Sequence, residues 1–127
     1  MIGETGANVN KVIIVGNHIF NQSIGDELFC KADIKSTMID KDLVPNMNMV
    51  LRHVNRTEVI IVSLEHFTSV TIAIVGIAKA LGKLIIGVAH EGYFEKPTSG
   101  LDETLLLELC DFNCVHEDIV YEVTKYL

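Results

Sequence analysis

Three apolar, β-branched runs of the sequence each end in side chains that can hydrogen-bond a ligand or transfer a proton. The runs are KVIIVG at 11–16, EVIIVSL at 58–64 and LIIGV at 84–88. The residues at their ends are, in chain order, Gly16, Asn17 and His18, then Glu65 and His66, then His90. Open parallel sheets bind ligands beyond the carboxyl ends of their strands, where such groups can contact a sugar, a base or a phosphate. Asp40, which follows a shorter run at 35–39, joins the same edge.

The segment after Glu65 offers the best place for an anion. Thr68, Ser69 and Thr71 put hydroxyl groups at the predicted start of a helix, where backbone N–H groups are also free. Simple capping of the helix by the same hydroxyls is the alternative interpretation. Gly16 is not followed by GxxG, and neither GxxxxGKS/T nor GxSxG occurs. The sequence therefore indicates no bound cofactor and no covalent hydrolase.

Potential metal ligands do not show a recognisable spacing. His18, His66 and His90 follow different runs, and no HxH or HxxxH pattern preforms a site. Cys110 and Cys114 stand four apart near a predicted helix end, where a place in the core accounts for them. Because the cysteines are odd in number and lack CxxC spacing, they indicate reduced thiols in a cytoplasmic protein without a bound metal.

Strands and helices alternate along the sequence. The predicted strands are 11–16, 35–39, 58–64, 84–88 and 112–115, and the predicted helices are 22–32, 46–56, 69–81, 101–110 and 117–126. This pattern predicts an α/β fold with a flavodoxin- or Rossmann-like, doubly wound, mainly parallel five-stranded sheet in the order 2-1-3-4-5 and three layers, α/β/α. The length fits a single domain at 11–127 after a flexible N-terminal tail at 1–10.

The net charge and the apolar residues limit the partners. A net charge of −7 without a basic run argues against a nucleic-acid polymer, whose phosphates need cations. The apolar stretch 70–89 is interrupted by Lys79 and Lys83 and has Gly82 where a helix would stop, which indicates a buried helix and strand rather than a membrane span. Because this stretch is apolar in almost every direction, we expect a homodimer or a higher homo-oligomer.

Two stretches resemble the nucleoside 2-deoxyribosyltransferase family, which includes nucleotide N-glycoside hydrolases. Residues 15–21 (VGNHIFN) are similar to the family's strand that ends in Ala-Gly-Pro and continues with an aromatic residue and often Asn. The similarity implies that Phe20 belongs to the ligand site. Residues 69–83 are similar to the family segment S-G-T-A-x-E-I-G-x-A-x-A-x-G-K. The identical residues are Ser69, Thr71, Gly76, Ala78, Ala80, Gly82 and Lys83. The order of elements agrees over nearly the whole chain.

The resemblance also puts an isoleucine where the family has its catalytic group. The family's nucleophilic Glu, whose carboxylate carries the covalent sugar intermediate, falls on Ile74. The Gly of the family loop is replaced by Val70, and Glu65 stands near the loop Asp. Isoleucine can neither attack the anomeric carbon nor stabilise an oxocarbenium ion. The resemblance thus implies a degenerate member that has lost the family's catalysis.

The resemblance and the missing Glu together imply non-catalytic binding of a nucleoside, a nucleotide or a nucleotide-derived signal, for sequestration or sensing. A phage-encoded sponge against nucleotide-based immunity is one role of this kind. The expected ligand residues are Gly16, Asn17, His18, Phe20, Asp40, Glu65, His66, Ser69, Thr71 and His90. One alternative is an active N-glycoside hydrolase or deoxyribosyltransferase that uses Glu65 with His66 or Asp40. Another is a structural or regulatory subunit whose pocket is filled by Ile72, Ile74 and their neighbours.

Overall fold

Parallel strands and helices alternate in the computed structural model, which describes residues 10–42, 46–98 and 100–127. The strands are β1 (Val12–Gly16), β2 (Ser36–Asp40), β3 (Val59–Ser63), β4 (Leu84–Ala89) and β5 (Phe112–Val115). The helices are α1 (His18–Ala32), α2 (Met47–Arg56), α3 (Ser69–Ala80), α4 (Leu101–Leu109) and α5 (Ile119–Thr124). Short 3-10 turns at Glu91–Glu95 and His116–Asp118 precede α4 and α5. The predicted alternation is confirmed.

The five strands form one sheet in the order β2-β1-β3-β4-β5. Every pair of neighbouring strands is parallel, and in the centre Val12 of β1 lies opposite Val59 of β3. All residues of β1 and β3 are buried, which suits their β-branched side chains because helices cover both faces of a parallel sheet. The predicted sheet, with its order of strands, is confirmed.

Two helices cover one face of the sheet and three cover the other, so the predicted three layers are confirmed. α1 and α5 pack on the first face through Ile24, Leu28, Ile119 and Val123. α2, α3 and α4 pack on the second face through Val50, Val54, Ile74, Ala78 and Leu106. In the described part of the chain, no helix has the length and apolar character that crossing a membrane requires.

The predicted start of the first helix is wrong. The first helix begins at His18 rather than at residue 22, so most of the predicted loop 17–21 is helical. The Oδ1 atom of Asn17 accepts a hydrogen bond from the backbone N–H of Phe20 at 2.8 Å, and this cap starts the helix before the apolar spacing indicates it. Between the predicted strand 84–88 and the predicted helix 101–110, the chain also forms the 3-10 turn Glu91–Glu95.

Most of the predicted N-terminal tail lies outside the described residues. The same is true of residues 43–45, which belong to a predicted loop, and of residue 99. Asn10 is described, and its Nδ2 atom donates a hydrogen bond to Oγ1 of Thr37 at 3.2 Å. The chain is therefore attached to β2 from Asn10 onward.

Asp111 connects three elements through its carboxylate. Its Oδ1 atom lies 2.7 Å from Nζ of Lys79 in α3, and its Oδ2 atom accepts a hydrogen bond from the backbone N–H of Ile85 in β4 at 2.7 Å. Partial burial raises the pKa of Asp111, but the hydrogen bonds from Lys79 and Ile85 and the charge of Lys79 outweigh it. The net pKa is therefore lower than the usual value of 3.8. The folded state thus favours the ionised carboxylate more than the unfolded state does.

We expect Asp111→Asn to lower the free energy of unfolding by about 1–2 kcal/mol at pH 7, since the lost charged hydrogen bonds are partly exposed to water. Because the folded pKa lies below the unfolded value, this stabilisation is complete above about pH 5 and is lost as the pH falls through the folded pKa. Urea unfolding near pH 7 and pH 3 measures the difference, with Glu95→Gln, an exposed residue of the 3-10 turn after β4, as the control. A difference of the same size at both pH values would contradict the assignment.

Candidate functional site

Glu65 and His90 meet at the carboxyl edge of the sheet, as their positions after neighbouring strands require. The Oε1 atom of Glu65 accepts a hydrogen bond from the backbone N–H of His90 at 3.0 Å. The same oxygen lies 2.9 Å from Nδ1 of the His90 ring. The structure thus brings two predicted site residues into direct contact, with the carboxylate orienting the imidazole.

A row of rings extends from this contact toward α1. The rings of His90 and His116 have centroids 5.3 Å apart, and those of His116 and Phe20 have centroids 6.0 Å apart. His116 directly follows β5, so it occupies the place in the last strand unit that His90 occupies in β4. His116 was not among the predicted site residues, although the predicted end of β5 at 115 pointed to it.

Glu65 carries a negative charge in this setting. Partial burial raises its pKa, but hydrogen bonds from the backbone and ring of His90, with the charges of His90 and His66, outweigh burial. The net pKa of Glu65 is therefore lower than its usual value. A carboxylate that is ionised at neutral pH accepts hydrogen bonds and has no proton to donate. The backbone N–H of His66 donates to Oγ of Ser63 at 3.0 Å, which shapes the turn that presents Glu65.

A cavity of about 320 Å³ opens beside Glu65 at this edge. It is lined by Leu64, Glu65, Phe67, Tyr93 and Glu103. The hydroxyl of Tyr93 donates a hydrogen bond to Oε2 of Glu103, which stands in the first turn of α4. Burial, the hydrogen bond to Glu103 and the charges of Glu103 and Glu65 together raise the pKa of Tyr93, so the phenol stays protonated. We call this space the Glu65 cavity.

A second cavity of about 290 Å³ adjoins the first and shares Tyr93 and Glu103 with it. Its other lining residues include Phe94, Lys96 and Asn113, and it contains none of the predicted ligand residues. The Glu65 cavity is the better candidate site because it lies beside a predicted residue at the edge where parallel sheets bind ligands.

Gly16 and Asn17 stabilise the connection between β1 and α1. A Cβ atom on Gly16 would stand 2.6 Å from the ring of Phe20 and 3.1 Å from Cβ of Ser63, so the buried ring requires glycine there. Asn17 caps α1 as described above. Asn21 donates from Nδ2 to the carbonyl oxygens of Gly16 and Ile39 at 3.1 and 3.0 Å. Phe20 itself is almost fully buried, so its ring packs against His116 rather than offering an open stacking surface.

Two hydroxyl groups of the predicted anion site at the start of α3 make hydrogen bonds within the protein. Oγ1 of the buried Thr71 accepts a hydrogen bond from the backbone N–H of Thr68 at 3.1 Å. Oγ1 of Thr68 donates to the carbonyl oxygen of Lys41 at 3.2 Å. This arrangement matches the capping alternative for Thr71, and it leaves Ser69 exposed on the first turn.

Asp40 and His18 lie away from the Glu65 cavity. The Oδ1 atom of Asp40 accepts a hydrogen bond from the backbone N–H of Asp42 at 2.8 Å, so this carboxylate stabilises the turn after β2. The side chain of His18 is exposed at the start of α1. Neither residue lines the cavity.

Ile74 is fully buried and packs in the core between α3 and the sheet. It does not line the Glu65 cavity, and neither does Ile72. The position that holds the nucleophile in the resembled family therefore contributes to packing in this chain. The cavity is open rather than filled by these two side chains.

Metal ligands and reactive thiols are not gathered at the described edge. Over the described ranges, no group of three or more His, Cys, Asp or Glu side chains could hold a metal ion. Burial first, and then the charge of Asp111, raise the pKa of the Cys110 thiol to about 12. Burial and the charges of Glu122 and Asp118 raise the pKa of Cys114 to about 12. Both thiols are therefore protonated at neutral pH and are poor nucleophiles.

Comparisons of the chain with protein-family models, with curated proteins and with solved structures found no match. The resemblance to nucleoside 2-deoxyribosyltransferases therefore stays a prediction that depends on the residues named for it.

Proposed function

We propose that the chain binds a nucleoside or a nucleotide-derived ligand in the Glu65 cavity and does not cleave it. The observation that carries this proposal is the position of the cavity, which lies at the carboxyl edge of the sheet and is bordered by Glu65. Its volume of about 320 Å³ is near the lower end of small-molecule sites, which suits a base or a sugar. Sequestration or sensing of the ligand is the role that such binding would serve, and a role as a phage sponge stays a prediction.

The lining of the cavity supports contacts with the base and the sugar. An ionised Glu65 can accept hydrogen bonds from sugar hydroxyls or from the exocyclic amine of a base. The half-buried rings of Phe67 and Tyr93 provide apolar surface against which a base can stack. Glu103 adds a second carboxylate to the same cavity, so the phosphate of a nucleotide would be stabilised only outside it.

Loss of catalysis is supported by the burial of Ile74. Glycosyl transfer needs a nucleophile or base and an acid on opposite sides of the scissile bond. Ile74 offers methyl groups and faces the core, and Glu65 is already hydrogen-bonded to His90. In this proposal the remaining polar groups hold the ligand.

A second candidate function is hydrolysis of an N-glycosidic bond, because Glu103 shares the cavity with Glu65. Such hydrolases usually use two catalytic carboxylates whose different surroundings give them different pKa values. Glu103 was missed in the sequence analysis because it comes from α4, far along the chain from Glu65. The assay that separates this candidate from simple binding is described in the Discussion.

The proposal is tested by mass spectrometry of small molecules released from the heat-denatured protein, followed by calorimetry. A panel of nucleosides, mononucleotides, dinucleotides and cyclic nucleotides is expected to contain at least one compound that binds with a Kd below about 1 mM. Loss of one hydrogen-bonding partner costs about 1–3 kcal/mol, so Glu65→Gln should weaken that binding about tenfold to a hundredfold.

Glu58→Gln is the matched control, because Glu58 stands at the opposite end of the same strand unit and pairs with Lys11 on the surface. It should leave the affinity unchanged. If no compound of the panel binds below about 1 mM, the proposal is wrong.

A further inference from the structure

The outer face of α3 is apolar except for two exposed residues, Ser69 at its start and Lys79 near its end. Ala73 and Ala80 are exposed there, Gly76 lies between them, and Ile72 and Ile77 are partly exposed at the margins. Lys79, the charged residue of this helix, is bound to Asp111 through Nζ. A surface helix normally carries polar residues along its outer face, so the apolar strip from Ala73 to Ile77 indicates contact with another surface.

The charged residues of α2, the helix on one side of α3, are all basic. Among its residues, Met49, Arg52, His53 and Arg56 follow a helical stripe and line a concavity of about 220 Å³. Arg52 and Arg56 are the only arginines of the chain. Within the described residues, neither guanidinium forms an ion pair with a carboxylate. These two cations are therefore available to a partner in a protein whose net charge is −7. We call these four residues the basic stripe.

The charged residues of α4, the helix on the other side of α3, are all acidic. α4 contains no lysine or arginine, and its exposed residues Leu101, Asp102, Leu105 and Glu108 form one stripe with two carboxylates and two large apolar side chains. α3 contacts both α2 and α4, so the two stripes lie on either side of the apolar face in the same layer of helices. We call these four residues the acidic stripe.

We propose that two copies of this chain associate through the α2–α3–α4 layer. A two-fold axis that runs parallel to α3 along its outer face puts α3 of one copy against α3 of the other. The basic stripe of each copy then faces the acidic stripe of its partner. Both contacts form twice, since a two-fold interface is self-complementary. The occupant of the face is a second copy because one layer carries both complementary charges and the apolar strip between them.

Gly76 gives the first test of this interface. A Cβ atom on Gly76 meets no atom within 4 Å in a single copy, and arginine forms helices better than glycine. Gly76→Arg should therefore fold normally, which circular dichroism verifies, while it blocks the approach of α3 to α3. The expected result is a Kd for dimerisation that rises at least about a hundredfold, measured by sedimentation velocity between about 5 and 200 µM. Gln22→Arg, on the exposed side of α1, is the control and should not change the Kd.

Charge reversal gives the second test. Arg52→Glu with Arg56→Glu should make the protein monomeric, and so should Asp102→Lys with Glu108→Lys, because like charges then face each other across the interface. An equimolar mixture of the two variants should dimerise again, since each altered stripe meets its complement. Restoration in the mixture excludes misfolding of the variants as the cause of their dissociation.

Three outcomes would overturn the proposal. The first is a wild-type protein that stays at its monomer mass of 14.1 kDa up to about 200 µM. The second is a wild-type dimer that Gly76→Arg leaves intact. The third is a mixture of the charge-reversed variants that remains monomeric although both variants are folded.

Discussion

Replacement of Ile74 by glutamate is expected to lower the free energy of unfolding by about 3–5 kcal/mol. Ile74 is 0% exposed and packs with core residues of β1 and β3. A carboxyl group in that place would lose its contacts with water and find no cation, so burial would raise its pKa and keep it protonated. The apolar contacts of the isoleucine would be lost as well. Denaturant unfolding followed by circular dichroism measures the effect.

Ile19→Glu is the matched control, because the same substitution is made at a residue that is 77% exposed. Ile19 stands in the first turn of α1, where a negative charge is favourable, so the expected change is within about 0.5 kcal/mol. Ile74→Val, which keeps the site apolar, should cost about 0.5–1.5 kcal/mol. If Ile74→Glu lowers the free energy of unfolding no more than Ile19→Glu does, the side chain at position 74 faces water or a cavity. Position 74 could then correspond in place to the nucleophile of the resembled family.

The fold could be predicted from the sequence because its strongest signals are local. The β-branched runs that become β1, β3 and β4 are each about one strand long, and each is followed by a helical spacing of apolar residues. Parallel strands joined by helices leave few topologies, which fixes the order of the sheet. The boundary of α1 was missed because a single hydrogen bond, from Phe20 to Asn17, decides where the helix begins.

The candidate site could be predicted only in part. Glu65 and His90 come directly after neighbouring strands, so the topology alone puts them together. Tyr93 and Glu103 come from a 3-10 turn and a helix whose positions depend on packing against the rest of the fold. Nothing in their local sequence indicates that they face Glu65. These tertiary contacts form the cavity, so the sequence pattern alone does not indicate which residues line it.

The wild-type protein is expected not to release free base from nucleosides, deoxynucleotides or NAD. Loss of a nucleophile in an enzyme lowers the rate about a millionfold, and Ile74 presents only methyl groups to the core. Glu65 keeps a negative charge and is hydrogen-bonded to His90, so it cannot protonate a leaving base. Glu103 accepts a hydrogen bond from Tyr93, which positions its carboxylate toward the phenol. Chromatography of each mixture after long incubation measures the free base.

The variants of the two cavity carboxylates decide between binding and hydrolysis. Release of base by the wild type that is abolished in both Glu65→Gln and Glu103→Gln, and unchanged in Glu58→Gln, would establish the hydrolase alternative. It would mean that Glu103 supplies from α4 the carboxylate that is missing at position 74. Binding of the ligand without release of base would match the binding function. In that case the affinity should fall in Glu65→Gln, with or without a similar fall in Glu103→Gln. The same three variants therefore serve both measurements, the affinity for the ligand and the release of base. Each variant removes one charge and keeps the size of the side chain.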